Sequence, residues 1–281
     1  LGAAGAISAG LHGLLGGLAP VAALCGLETF LLEPNRLDIT HHTIQVPQLP
    51  PELSGYTIAQ LTDLHFGRER GAHTRALASI ERRQPDLVVC TGDFVESEAD
   101  LPAFESFLDR LTATANQVVA ILGNWERKHS HRYTKKAIAA YRNRDLRLLQ
   151  NESILTERGV AIVGADDPIT GHFQADLAFA DRPDAPFSLF LAHSPILFDR
   201  NHTQKPTFDL SLAGHTHGGQ FRIGPFAPVT PRGSGRFTSG FYDTNLGRAY
   251  VSRGIGMTFI RGRFMCPPEL PYFTLTSTES Q

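Results

Sequence analysis

The chain has 281 residues, 42% hydrophobic and 19% charged, with a formal net charge of -2. That composition suits an ordinary globular protein and excludes disordered, collagen-like and disulfide-rich classes. The 26 Lys and Arg are scattered, which argues against nucleic acid as a partner, and Cys25, Cys90 and Cys266 lie too far apart for a zinc knuckle or a disulfide framework.

Residues 1–27 contain no Asp, Glu, Lys or Arg and exceed the roughly 20 apolar residues that a bilayer core requires. Seven glycines and Pro20 weaken this stretch as a helix. It reads as an export signal or membrane anchor over residues 1–33, similar to the part of a twin-arginine signal that follows its arginines, ahead of a domain over residues 34–281. A helix packed on that domain is the alternative. The proline-rich stretch 33–55 predicts an edge strand and a connector.

Seven short apolar runs follow: YTIAQLTD, DLVVCTGD, QVVAILGN, VAIVGADD, FSLFLAHS, FDLSLAGH and RAYVSRG. Their β-branched content and their endings in Gly, Asp, Asn or His predict buried strands. Between the early ones, HTRALASIERR and DLPAFESFLDRLTA predict helices, the second with Leu101, Phe104, Leu108 and Leu111 on one face. Strands alternating with helices define an α/β fold.

Asp63, His65, Asp93, Asn124, His193, His215 and His217 all fall at or just past strand ends. In open α/β sheets that edge is where ligands bind. The spacing from Asp63 to Asp93 and on to Asn124 is that of a βαβ unit, roughly 30 residues, so these side chains should meet. Carboxylate, amide oxygen and imidazole together, without thiolate, suit Mn, Fe, Zn or Mg and disfavour a structural zinc site.

DLH (63–65), GDFVE (92–96), GNWE (123–126), AHSP (192–195) and GHTH (214–217) resemble the five ordered motifs of the calcineurin-like metallophosphoesterases, over roughly residues 56–276. GHTHGGQF and the tail from Ser252 resemble a bacterial membrane-associated branch. The resemblance implies a four-layer α/β/β/α sandwich holding two divalent or trivalent metal ions. Asp63, His65 and His217 would hold one ion, Asn124, His193 and His215 the other, and Asp93 would bridge them. Asp93, Asn124 and His215 are the residues assigned to catalysis. Two such cations about 3.5–4 Å apart generate a nucleophile from water and neutralise phosphoryl charge. Gly218 and Gly219 are expected to leave room for substrate.

Two positions depart from the family pattern. Glu96 stands where Asp is commoner, a change that looks distant from the metals. Trp125 stands where most members carry a histidine thought to protonate the leaving oxygen, a contribution of about 10²–10⁴ in rate. Trp125 and Arg68 are the candidate substrate contacts; in the alternative, Trp125 only packs at the rim and His129 or His131 takes over as the acid. His12, His41, His42, His73, His172 and His202 read as surface or packing residues.

The expectation is therefore a monomeric, dinuclear phosphoesterase of the cell membrane or envelope. It would act on a phosphodiester or diphosphate bond of a phosphorylated small molecule or a lipid-linked substrate such as UDP-2,3-diacylglucosamine. The competing reading is a phosphate-binding or scaffold protein that keeps the metal site after losing catalytic strength.

Overall fold

The computed structural model describes residues 20–67, 71–201 and 206–278; the first 19 residues of the apolar segment, Arg68 and His202 lie outside them. Two six-stranded sheets form the centre. The first runs, side by side, β1 (Asp38–Val46), β12 (Glu269–Ser277), β2 (Thr57–Leu61), β3 (Leu87–Cys90), β4 (Val118–Ile121) and β5 (Arg147–Leu149). The second runs β10 (Gly240–Thr244), β11 (Gly247–Val251), β9 (Phe208–Ala213), β8 (Phe187–Leu191), β7 (Val160–Gly164) and β6 (Glu152–Leu155). β2 to β5 are parallel, as are β7, β8, β9 and β11, with antiparallel pairings only at β12–β2, β6–β7 and β10–β11.

Strands covered on both faces read as continuous apolar runs, and alternate residues of each run serve different cores. Val88 and Cys90 of β3, with Val118 and Ala120 of β4, face the helices α1 (Gly71–Arg83), α2 (Leu101–Thr114) and α3 (His131–Arg142). Val89, Val119 and Ile121 face the other way, onto Ile162, Leu189 and Leu210 of the second sheet. The outer face of the second sheet is covered by α4 (Ala175–Ala180) and by Leu197, Phe198 and Phe237. The result is the expected α/β/β/α sandwich.

Every predicted strand and both predicted helices are present. Two further elements matter. α3 starts at Ser130, whose Oγ accepts from the Tyr133 N–H at 3.2 Å, and buries Tyr133, Ala137, Ala140 and Tyr141 along one face. β12 pairs with β1 on one side and β2 on the other, although Pro268 and Pro271 mask its strand pattern.

Residues 20–27 are helical and lead into a π-helical turn, Glu28–Leu32, and a 3₁₀ turn, Glu33–Asn35. These turns are fastened to the domain. The Arg263 N–H donates to Thr29 O at 2.9 Å, the Glu33 carboxylate accepts from the Met265 and Cys266 N–H groups, and Asn35 Oδ1 accepts from Gly71 N–H. Among the described residues no helix is long and apolar enough to cross a membrane.

Candidate metal centre

Asp63, Asp93 and Asn124 follow β2, β3 and β4 of the first sheet, whereas His193 and His215 follow β8 and β9 of the second. The site therefore straddles two sheets rather than lying along one edge, which linear spacing could not reveal. It falls into two buried clusters, Asp63 with His65 and His217, and Asp93 with His193 and His215. Asn124 joins the second: its Oδ1 lies 3.0 Å from His193 Nε2 and 2.9 Å from His215 Nδ1. All seven sequence-predicted ligands are thus brought together.

Asp93 sits between the clusters. Its Oδ2 is 3.1 Å from His193 Nε2 and 3.9 Å from His65 Nε2, while Oδ1 accepts from the Trp125 N–H at 2.8 Å. Asp63 is held by the His215 N–H, 3.1 and 3.0 Å from its two oxygens, and by Thr62 Oγ1 at 2.9 Å.

The backbone is unusual here. Asp63, His65, Asp93, His215 and His217 all have positive φ, between 48° and 71°. That left-handed region is sparsely used by residues with a Cβ and persists only where surrounding structure enforces it, often at functional sites. At Asp93 the enforcement comes from Glu126, fully buried, which accepts from the N–H groups of Asp93, Phe94 and Gly123 at 3.1, 2.6 and 2.9 Å. Gly123 is required because a Cβ there would collide with the Asp93 carboxylate.

The residues fit cations. A carbonyl only accepts, so His193 Nδ1 carries its proton toward Thr91 O at 2.8 Å and His215 Nε2 carries its proton toward Arg232 O at 2.9 Å. His65 Nδ1 faces Glu96 Oε1 at 2.9 Å. Each of these imidazoles so keeps its other nitrogen for the centre, as ligating histidines do. Those nitrogens meet in pairs, His193 Nε2 with His215 Nδ1 and His65 Nε2 with His217 Nε2, both 3.1 Å apart. Two adjacent ligands on one ion at roughly 2.1 Å stand about that far apart. Burial pushes His215 and His217 below the usual imidazole range, which favours the neutral, ligating form. Burial opposes charge on His193 too, but Asp93 outweighs it and lifts that imidazole to about 10. Burial raises Asp93, and His193 outweighs it in turn, holding the carboxyl at about 2.

Several expectations need correction. Glu96 is not remote, since it touches His65 and orients it. The missing side chains of Gly218 and Gly219 make room for protein rather than for substrate: both have positive φ, and a Cβ on Gly218 would lie 2.7 Å from Cys266 Sγ, while one on Gly219 would strike Ala227. They serve close packing of protein on protein. His73 is a packing residue as expected, buried with Nε2 2.6 Å from Leu64 O. Glu126 and the carbonyls of Thr91 and Arg232 were missed. Glu126 alone had a signal, as the last residue of GNWE.

Trp125 lies at the rim, its ring edge-on to His65 with centroids 5.7 Å apart. Lys128 Nζ sits 3.6 Å over the indole, with Phe259 and His129 centred 6.0 and 6.2 Å away. A cleft of about 320 Å³ beside it is lined by Glu96, Ser97, Asp100, Trp125, His129 and Arg261. His131 does not line that cleft.

Paired Asp/His clusters at the ends of strands from two packed sheets define a site built to hold two metal ions side by side. The calcineurin-like phosphoesterase profile matches residues 56–219, more than half the chain, and the protein belongs to that family. It is 30% identical to the uncharacterized metallophosphoesterase YkuE of Bacillus subtilis, over 95% of this chain and 96% of that one. It is also 27% identical to the phosphodiesterase YaeI of Escherichia coli, over 86% of this chain and 90% of the relative. A third relative is the UDP-2,3-diacylglucosamine pyrophosphatase LpxG of Chlamydia trachomatis, 26% identical over 85% of this chain and 89% of the other. The chain is a metal-dependent phosphoester hydrolase that uses two divalent metal ions.

Proposed function

We propose that the protein hydrolyses a phosphodiester or diphosphate bond whose leaving group departs as a stable anion, in a lipid-linked envelope substrate of the UDP-2,3-diacylglucosamine kind. The observation that carries the leaving-group reading is Trp125 beside His65. An indole has no proton to give at neutral pH, so an alkoxide would leave unprotonated from this position, whereas a phosphate leaves readily as an anion. The similarity to LpxG, whose name states a pyrophosphatase acting on such a lipid, supports the substrate class.

Asp63, His65 and His217 would hold one ion in this reading, Asn124, His193 and His215 the other, and Asp93 would serve both. Two cations held there lower the pKa of water and neutralise charge growing on the phosphoryl oxygens. Glu96, Thr91 O and Arg232 O each hold one ring nitrogen of His65, His193 and His215, so that the other is aimed at the centre. Asn124 contributes a neutral oxygen, so the site carries less negative charge against an anionic substrate.

A series of aryl and alkyl phosphodiesters of rising leaving-group pKa, with a nucleoside diphosphate ester, tests the reading. The wild-type rate should fall steeply with leaving-group pKa, and Trp125→His should flatten that slope, gaining up to about 10²-fold on alkyl leaving groups. A flat wild-type slope that becomes steep in His129→Ala would place the acid at His129 and remove the basis for the diphosphate preference.

A further inference from the structure

The face around the metal centre is more apolar than a hydrolase of small anions needs. Ile223 and Phe226 form the tip of one turn, 72% and 64% exposed, and Phe259 and Ile260 the tip of another, 75% and 56% exposed. These tips are built, not loose. Gln220 Nε2 donates to Thr258 O and Ile260 O at 3.2 and 2.6 Å, and its Oε1 accepts from the Thr258 N–H at 3.0 Å. Phe259 is held at a φ of 54°, a conformation that a bulky residue rarely adopts without an enforcing surround. The two turns are joined where the Arg222 N–H donates to Phe264 O at 2.9 Å.

Between them runs a groove of about 380 Å³, lined mainly by Phe221, Pro228, Val229, Pro231, Phe259 and Ile260, and reaching His217. The apolar surface continues beyond it. Phe30 packs on Gly262, two residues from Ile260, and carries the surface to the exposed Val21, Leu24, Leu27 and Leu31 of the N-terminal helix. Residues 20–27 of that helix belong to a sequence stretch, residues 1–27, without a single charged side chain. At the edge of the apolar tips stand two exposed cations, Lys128, over the Trp125 and Phe259 rings, and Arg261, which makes no ion pair among the described residues. Apolar tips backed by Lys and Arg are the arrangement of a surface that seats in a bilayer interface, with the cations at the lipid phosphates.

We infer that this face docks on an anionic lipid bilayer, with Phe226, Phe259 and Ile260 in the acyl region and the groove beside His217 open to a hydrocarbon chain from the membrane. The groove's role builds on the lipid-linked reading above; the docking does not. A substrate held this way need not leave the membrane, because its apolar tail stays in contact with protein or lipid while its phosphate reaches the ions. Each methylene kept from water on binding should improve apparent affinity by up to about fourfold.

The chain's only tryptophan, Trp125, lies against Phe259 and reports on this face. Metal-loaded full-length protein is mixed with phosphatidylglycerol–phosphatidylcholine vesicles whose acyl chains carry bromine, and tryptophan emission is read without substrate. We expect strong quenching against non-brominated vesicles, lost in Phe226→Asp/Ile260→Asp at unchanged metal content. Protein that pellets with vesicles while Trp125 stays unquenched, because residues 1–27 alone tether it, would overturn the docking. So would protein that never pellets, or a lipid-free dimer that Phe226→Asp disperses, which would assign the face to a second copy. Quenching by a protein inactive on every phosphoester would count against the hydrolase reading alone.

Discussion

Asp93 is the residue on which both clusters converge, and its replacement should be felt by both. Asp93→Asn keeps the shape and removes the charge between His65 and His193, so metal content by elemental analysis and phosphodiester hydrolysis should fall together. His172→Ala, at an exposed position, should change neither. Equal losses in the two variants would mean that Asp93 acts on the fold rather than on the ions. The His193–Asp93 pair gives a second expectation. With His193 lifted to about 10 and Asp93 held at about 2, the ion-free pair keeps one proton across the neutral range. A cation entering the second cluster must expel it, so metal binding should release protons and apparent affinity should rise with pH, by up to about tenfold per unit for each proton displaced. Calorimetry in buffers of different ionisation enthalpy measures that count, and affinity independent of pH from 6 to 8, roughly one unit each side of neutrality, would contradict it.

At the scale of elements, the segment before β1 is joined to the loop that carries Arg263, and Glu33 is the joint. Its buried carboxylate takes the Met265 and Cys266 N–H groups. Arg263, fully buried, donates on to the carbonyls of Gly254, Gly256 and Cys266, around the turn that presses Gly254 against Asp63. Shortening the chain to begin at Pro34, the boundary that composition favours for the domain, removes that carboxylate and leaves two N–H groups without an acceptor. The buried Cys266 N–H then costs about 1–3 kcal/mol, and that of the exposed Met265 less. A chain beginning at Glu28 should therefore melt several degrees above one beginning at Pro34. Identical melting temperatures would show that Glu33 contributes nothing to the domain.

At the scale of the molecule, the ligands come from both sheets, so the ions clamp one half of the sandwich to the other. Ions that bind only the folded form stabilise it by mass action, about 2.7 kcal/mol when free metal stands at 100 times its dissociation constant. Calorimetric melting should shift upward with added Mn or Zn and fall back on chelation, alongside loss of hydrolysis. A melting temperature indifferent to metal and chelator would place the ions outside the folding equilibrium.

The residues themselves determined the strands, because a run such as LVVC, apolar at every position, can only be buried on both faces. They picked out the candidate ligand set as well, because oxygen and imidazole donors recur at the ends of five such runs and the structure brings all seven together. Tertiary structure alone decided the rest. The seven donors meet across two sheets, and no linear spacing encodes which sheet a strand joins. Glu96 reaches His65 only because the loops after β2 and β3 run side by side, with Phe66 bridged to Val95. Gly218 looks like space for substrate until Cys266, far along the chain, fills that space. β12 reads as a proline-rich tail, since its strand character comes from partners on both sides and not from its own pattern. Contacts between distant segments are set by packing the whole chain at once, whereas burial and ligand chemistry belong to each short stretch and can be read there.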